Sequence, residues 1–88
     1  MSVLEKQIAY QRVLSKYLPS PFVDYVTDLL MKYKVRFKIV APRSTKLGDF
    51  RPGNSLRLPQ ITVNGNLNPY SFLITTLHEF AHYITFDK

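Results

Sequence analysis

The sequence predicts an α+β domain: two N-terminal helices, a small, mostly antiparallel sheet, and a C-terminal helix. Three observations carry this expectation. Apolar residues recur at three- and four-residue spacing as far as about Lys34. Charged and apolar residues then alternate strictly from Lys34 to Ile39. Finally, an Asn68-Pro69 start signal opens a last, strongly apolar stretch. The first and last patterns have the period of a helix, and the middle one that of a strand with one buried face.

The elements follow in order. Val3, Tyr10, Val13, Leu14 and Tyr17 share a helical face, which predicts a helix over residues 3–17. Pro19 ends it, because a proline cannot continue the backbone hydrogen bonding. Ser20 has the chemistry of an N-cap and Pro21 suits the first helical position. Phe22, Val26, Leu29 and Tyr33 then mark a second helix to about Lys34. Lys34, Arg36 and Lys38 alternate with Val35, Phe37 and Ile39, the first strand. Pro42 to Lys46 reads as loop and Gly48 to Arg51 as a short strand. Leu56 to Val63 reads as another strand, with Pro59 marking a bulge or an edge. Asn64-Gly65-Asn66 is a turn signal. Asn68 caps the last helix, Pro69 begins it, and it runs to about Phe86. Leu73, Leu77, Phe80 and Ile84 form its expected core face, and Ser71, Thr75, His78, His82 and Thr85 a polar stripe.

Composition bounds the function. The 88 residues, 45% of them hydrophobic, make one folded domain, 1–88, rather than a disordered chain. There is no cysteine, so disulfides and thiolate zinc sites are excluded, and any metal must be held by histidine or carboxylate. Glu5, Lys6 and Gln7 stand where a signal peptide would be apolar, which predicts a cytoplasmic protein. The apolar stretch Tyr70 to Phe86 is shorter than the roughly 20 residues of a membrane span. It also carries His78, Glu79 and His82 near its middle, where lipid would make them costly, so no membrane association is expected.

The net charge of +6 is concentrated. Eight basic residues against Asp49 alone lie between Lys32 and Arg57, while the rest of the chain has four basic and five acidic residues. Lys34, Arg36 and Lys38 repeat along one strand face, with Arg43 and Lys46 in the following loop and Arg51 and Arg57 beyond. This is the electrostatic footprint of a polyanion-binding surface such as a DNA contact, although no base-reading motif accompanies it. Lysines that guard a sheet edge against aggregation would leave the same pattern.

The strongest chemical signal is the run His78-Glu79-Phe80-Ala81-His82. Residues four apart lie on one helix face, so His78 and His82 can present ring nitrogens to one zinc ion (Zn2+). Glu79, about 100° round the helix from His78, can reach a water on that ion without being a ligand. Those three positions make His78 and His82 candidate metal ligands and Glu79 the candidate general base of a hydrolase. Two surface histidines that merely satisfy hydrogen bonds are the bland alternative. Against it, the three polar residues interrupt a segment apolar enough to be buried, where unpaired charge is costly.

From Val35 to the C-terminus the chain resembles the SprT-like zinc metallopeptidases, the group that includes Spartan. The residues that carry the resemblance are the basic strand Val35-Arg-Phe-Lys-Ile-Val40, the glycine loop Arg43-Ser-Thr-Lys-Leu-Gly48, the segment Ile61-Thr-Val-Asn-Gly-Asn-Leu-Asn-Pro69 and Leu77-His-Glu-Phe-Ala-His82. Leu47 and Asp49 flank Gly48 where family members commonly have a tryptophan and a cysteine. The resemblance implies a zincin-like fold, zinc bound by His78 and His82, and peptide hydrolysis on a protein or peptide substrate. It also implies work on proteins crosslinked to DNA.

The family's third zinc ligand, usually a histidine, lies downstream of this helix, and the sequence has no third histidine. The domain is therefore read as incomplete at its C-terminal end. Asp87 lies about 140° from His82 on an ideal helix and is poorly placed to serve. With two ligands, this chain alone is expected to be inactive, to hold zinc incompletely, and to dimerise through apolar surface on its last helix. The alternative function is a non-catalytic nucleic-acid-binding module that uses the basic region Lys32–Arg57.

Overall fold

The computed structural model describes residues 2–86. It has the expected class: three α-helices and a small three-stranded sheet. The first helix, α1, spans Val3–Leu14 and opens with a capping box, in which the Ser2 hydroxyl accepts from the Glu5 amide and the Glu5 carboxylate accepts from the Ser2 amide. It ends three residues earlier than the periodicity predicts, and turn structure carries residues 15–17. Ser20–Phe22 is a 3-10 turn that leads into α2, Val23–Lys32. The Ser20 side chain caps nothing, because Pro19 occupies the cap position. Strands follow at Arg36–Val40 (β1), Gly48–Arg51 (β2) and Gln60–Asn64 (β3), and then α3 at Pro69–Thr85. Asn68 caps α3 by accepting from the Ser71 amide at 2.9 Å.

The sheet order is β1-β3-β2. β2 pairs antiparallel with β3, from Gly48↔Val63 to Arg51↔Gln60. β1 pairs parallel with β3, from Arg36↔Gln60 to Val40↔Asn64. The sheet is thus mixed, not mostly antiparallel. The connection over residues 52–59 turns β2 back on β3, whereas residues 41–47 carry the chain past the end of β3, leaving β1 on its far side. That crossing is held by backbone bonds from the Asn64 amide to the Leu47 carbonyl and from the Gly65 amide to the Val40 carbonyl, both 2.9 Å.

The third strand is shorter than predicted and central. Leu56 is 91% exposed, and pairing starts only after Pro59, whose carbonyl accepts from the Arg36 amide at 2.8 Å. A proline without an amide proton sits outside the ladder, as it must in a strand paired on both sides.

One core joins all the elements. Leu14, Val26, Leu30, Ile61, Val63, Phe72 and Phe80 are almost wholly buried. Tyr17 of the turn after α1 stacks on Phe72, with ring centroids 5.2 Å apart, and Tyr33 after α2 lies against Phe80. The buried side of α3 is Phe72, Leu73, Thr75, Thr76, Glu79 and Phe80. This corrects the predicted faces: Ile84 is exposed, Leu77 is half-buried, and Thr75 lies inside rather than on a polar stripe. Leu73 and Phe80 are covered by the chain itself and so contribute no apolar surface to a contact through this helix. Among the described residues no helix is long and apolar enough to cross a membrane.

Candidate metal centre

The helix α3 is unbroken through residues 78–82, so His78 and His82 stand one turn apart on its exposed side. Their rings meet edge to face at 89°, and the two Nε2 atoms are 3.0 Å apart. Two zinc–nitrogen bonds at a tetrahedral angle separate their nitrogens by about 3.4 Å. A side-chain adjustment of a few tenths of an ångström would therefore let both nitrogens bind one ion, and the pair fits the metal as two of its ligands. Without metal, one neutral ring can donate its Nε2 proton to the other.

Glu79 is placed differently. It is only 7% exposed and sits between α3 and the sheet. No cation lies within ion-pair distance of it among the described residues. Its stem is covered, but its carboxylate oxygens are not among the buried unpartnered polar atoms and so remain open to solvent. The fold keeps it at the edge of a shallow groove of about 330 Å³, lined also by Leu47, Gly48, Ile74, Thr75 and His78. The groove thus brings a histidine and the glutamate together beside β2, with His82 one turn further along.

Gly48 makes this arrangement possible, a role that the sequence reading did not assign. A Cβ there would fall 2.6 Å from Thr75 Cγ2, 3.0 Å from the Thr62 carbonyl oxygen and 3.2 Å from Glu79 Cγ. Only a residue without a side chain lets α3 approach β2 so closely. A lone glycine within a strand is a recognised sign of such an approach. Gly48→Ala is expected to cost about 1–3 kcal/mol, the usual penalty of overpacking. Thr75→Ser in the same chain should recover part of that, since it removes the nearest atom, the Thr75 Cγ2 methyl. Strict additivity of the two changes in a denaturation cycle would show that this contact does not set the penalty.

Asn64, fully buried at the end of β3, ties down the loop before Gly48. Its side chain donates to the Lys46 carbonyl at 2.9 Å and accepts from Arg43 Nε at 2.9 Å. Asp49 bonds Lys46 Nζ at 3.3 Å and Arg51 Nε at 3.2 Å. Partial burial alone would raise its pKa, but the hydrogen bonds and charges of Arg51 and Lys46 outweigh this, and the carboxyl titrates below its ordinary value.

The predicted site residues therefore divide. His78, His82 and Glu79 come together. The three do not themselves form a metal-holding group of histidine, cysteine, aspartate or glutamate, no such group of three exists among the described residues, and Asp87 lies outside those residues. Lys34, Arg36 and Lys38 are all exposed, opposite buried Val35 and half-buried Phe37 and Ile39, as the alternation predicts. Arg43 is bonded to Asn64 and Lys46 to Asp49, and neither lines the depression that holds Arg36 and Lys38. In their place Arg51 and Arg57 join Arg36 and Lys38 around one depression on the sheet. These two residues were separated from β1 in the sequence and meet it only through the strand pairing. Compared with protein-family models, with curated proteins and with solved structures, the chain matches none.

Proposed function

We propose that the protein is a cytoplasmic zinc metallopeptidase domain of the SprT-like type. The observation that carries this reading is the 3.0 Å convergence of His78 and His82 Nε2 beside the buried Glu79. The two histidines would hold the ion. Zinc supplies polarisation of the scissile carbonyl and a water whose pKa falls to about 7. Glu79 takes a proton from the attacking water and returns it to the leaving amine. Its Cγ lies close over Gly48, and both residues line the groove.

The peptide would lie along β2. Gly48 and the preceding Leu47 line the groove, and β2 is an edge strand whose outer side is unpaired among the described residues. An extended substrate can add to such an edge by backbone hydrogen bonds. Strand β3 is not open to a peptide in this way, because it is paired on both sides. Catalytic zinc sites use three protein ligands, so the proposal requires a third donor from outside residues 2–86.

The test is zinc titration against a chromophoric chelator, with casein hydrolysis followed in parallel on the 88-residue chain and on any longer form of the protein. His78→Ala and His82→Ala should each weaken zinc binding by more than the roughly 10- to 100-fold that follows loss of an outer-shell partner. Zinc affinity unchanged in both variants would remove the metal centre and the peptidase reading with it.

A further inference from the structure

The sheet has a second free edge, that of β1, on the side away from β2 and the candidate metal centre. The Arg36 amide donates to the Pro59 carbonyl and the Val40 carbonyl accepts from the Gly65 amide, so both residues turn their backbone groups toward β3. Backbone groups alternate between the two sides of a strand, which leaves those of Phe37 and Ile39 at the outer edge. Among the described residues no strand lies beyond β1 to take them.

On the inner face of this edge lies an apolar groove of about 350 Å³. Phe37 and Ile39 form its sheet side, and Tyr10, Val13 and Tyr17 its helix side. Leu14 is the one buried residue of α1, so the helix covers the strand incompletely, and Val13 is 44% exposed. The outer face of the same edge is charged. Lys34, just before the strand, and Arg36 and Lys38 within it are exposed, and none has a carboxylate in ion-pair reach among the described residues.

A strand laid beside β1 would bond to the backbone of Phe37 and Ile39 and send alternate side chains to the two faces. One set enters the apolar groove. The other stands next to Arg36 and Lys38, where opposite charges on neighbouring strands attract and like charges repel. The edge therefore selects a segment in which apolar and acidic residues alternate. It also rejects a second copy of β1, which would bring Arg36 and Lys38 beside their own counterparts. Lysines that merely guard an edge need no apolar groove beneath it.

We propose that β1 and α1 form a docking edge for an extended acidic segment of a partner protein. The segment pairs with Phe37 and Ile39, seats its apolar side chains against Tyr10, Val13 and Tyr17, and sets its carboxylates beside Arg36 and Lys38. The groove contains none of His78, Glu79 and His82, so the proposal does not rest on the peptidase reading.

The experiment is fluorescence anisotropy with a labelled peptide of about eight residues, a usual strand length, in which valine and glutamate alternate. One comparison peptide has the same composition with the valines and glutamates in separate blocks, and another has lysine in place of glutamate. The alternating acidic peptide should bind at low salt and be preferred to both by at least about tenfold. Arg36→Glu with Lys38→Glu should weaken it by about 30-fold, as two cross-strand pairs turn from attractive to repulsive, and should strengthen the lysine peptide by a comparable factor. Val13→Glu should weaken the acidic peptide by at least about tenfold through the groove. Leu56→Glu, at a 91% exposed position in the 52–59 connection, adds the same charge and should leave binding within about twofold. The proposal is overturned by absence of binding at low salt, by a blocked peptide bound as tightly as the alternating one, or by equal effects of Val13→Glu and Leu56→Glu. A charge reversal that fails to switch the preference also overturns it. An oligonucleotide that displaces the peptide as well as unlabelled peptide does would mark a general polyanion surface, and sedimentation showing a dimer that Val13→Glu dissolves would make a second copy the occupant. Either result overturns the proposal.

Discussion

Glu79→Gln is expected to abolish peptide hydrolysis, by about 10²- to 10⁴-fold, in zinc-loaded protein that carries the third donor. Glutamine keeps the shape of the side chain and its packing against Gly48 but cannot accept a proton. Zinc affinity should be unchanged, because the proposed ligands are His78 and His82. Stability should hold, since glutamine fills the same space and the carboxylate has no cationic partner among the described residues to lose. These readouts separate a proton-transfer role from a structural one. Hydrolysis within about threefold of the parent would show that Glu79 takes no part in the reaction. A parallel loss of zinc would show that it acts as a ligand.

Phe72→Ala is expected to remove about 3–5 kcal/mol of stability. The ring is completely buried, stacked on Tyr17 and edge-on to Phe37 at 6.4 Å, so it joins the turn after α1, β1 and α3. At about 0.05–0.15 kcal/mol per residue, a chain of this length has roughly 4–13 kcal/mol in all, so this single change takes a large part of it. The melting temperature should drop by at least about 12 °C, at about 4–8 °C per kcal/mol for a domain of this size. Ile74→Ala, on the same helix but 67% exposed, should stay within about 0.5 kcal/mol. Similar losses from both would mean that the core is not centred on Phe72.

The last helix shows where the sequence is informative and where it is silent. Its limits follow from Asn68 and Pro69 and from the long apolar run, and the observed Pro69–Thr85 agrees. Which side faces the core does not follow. Apolar residues occur all round this helix, so periodicity selects Leu73, Leu77, Phe80 and Ile84 about as readily as Phe72, Leu73, Thr76 and Phe80. The choice is made by what lies opposite: Tyr17 and Phe37 meet Phe72, and Tyr33 meets Phe80. The first strand is the contrary case. Its strict alternation allows only one face to be buried, and Val35, Phe37 and Ile39 turn inward as expected.

The candidate metal pair belongs to the local level. Helical spacing alone brings residues four apart together, so the convergence of His78 and His82 was legible in HEFAH. The seat of Glu79 was not, because it depends on a glycine thirty-one positions earlier in the chain that reaches the helix through β2. The same limit applies to charge. Lys34, Arg36 and Lys38 were legible as a row, yet Arg51 and Arg57 join the depression beside it only because β2 and β1 both pair with β3. Sequence by itself determined the kinds of element, most of their boundaries and the histidine pair, since these rest on residues within a turn or two of each other. Tertiary structure decided the strand order, the buried side of α3, the burial of Glu79 and the partners of each cation, since these depend on contacts between segments that no local pattern relates.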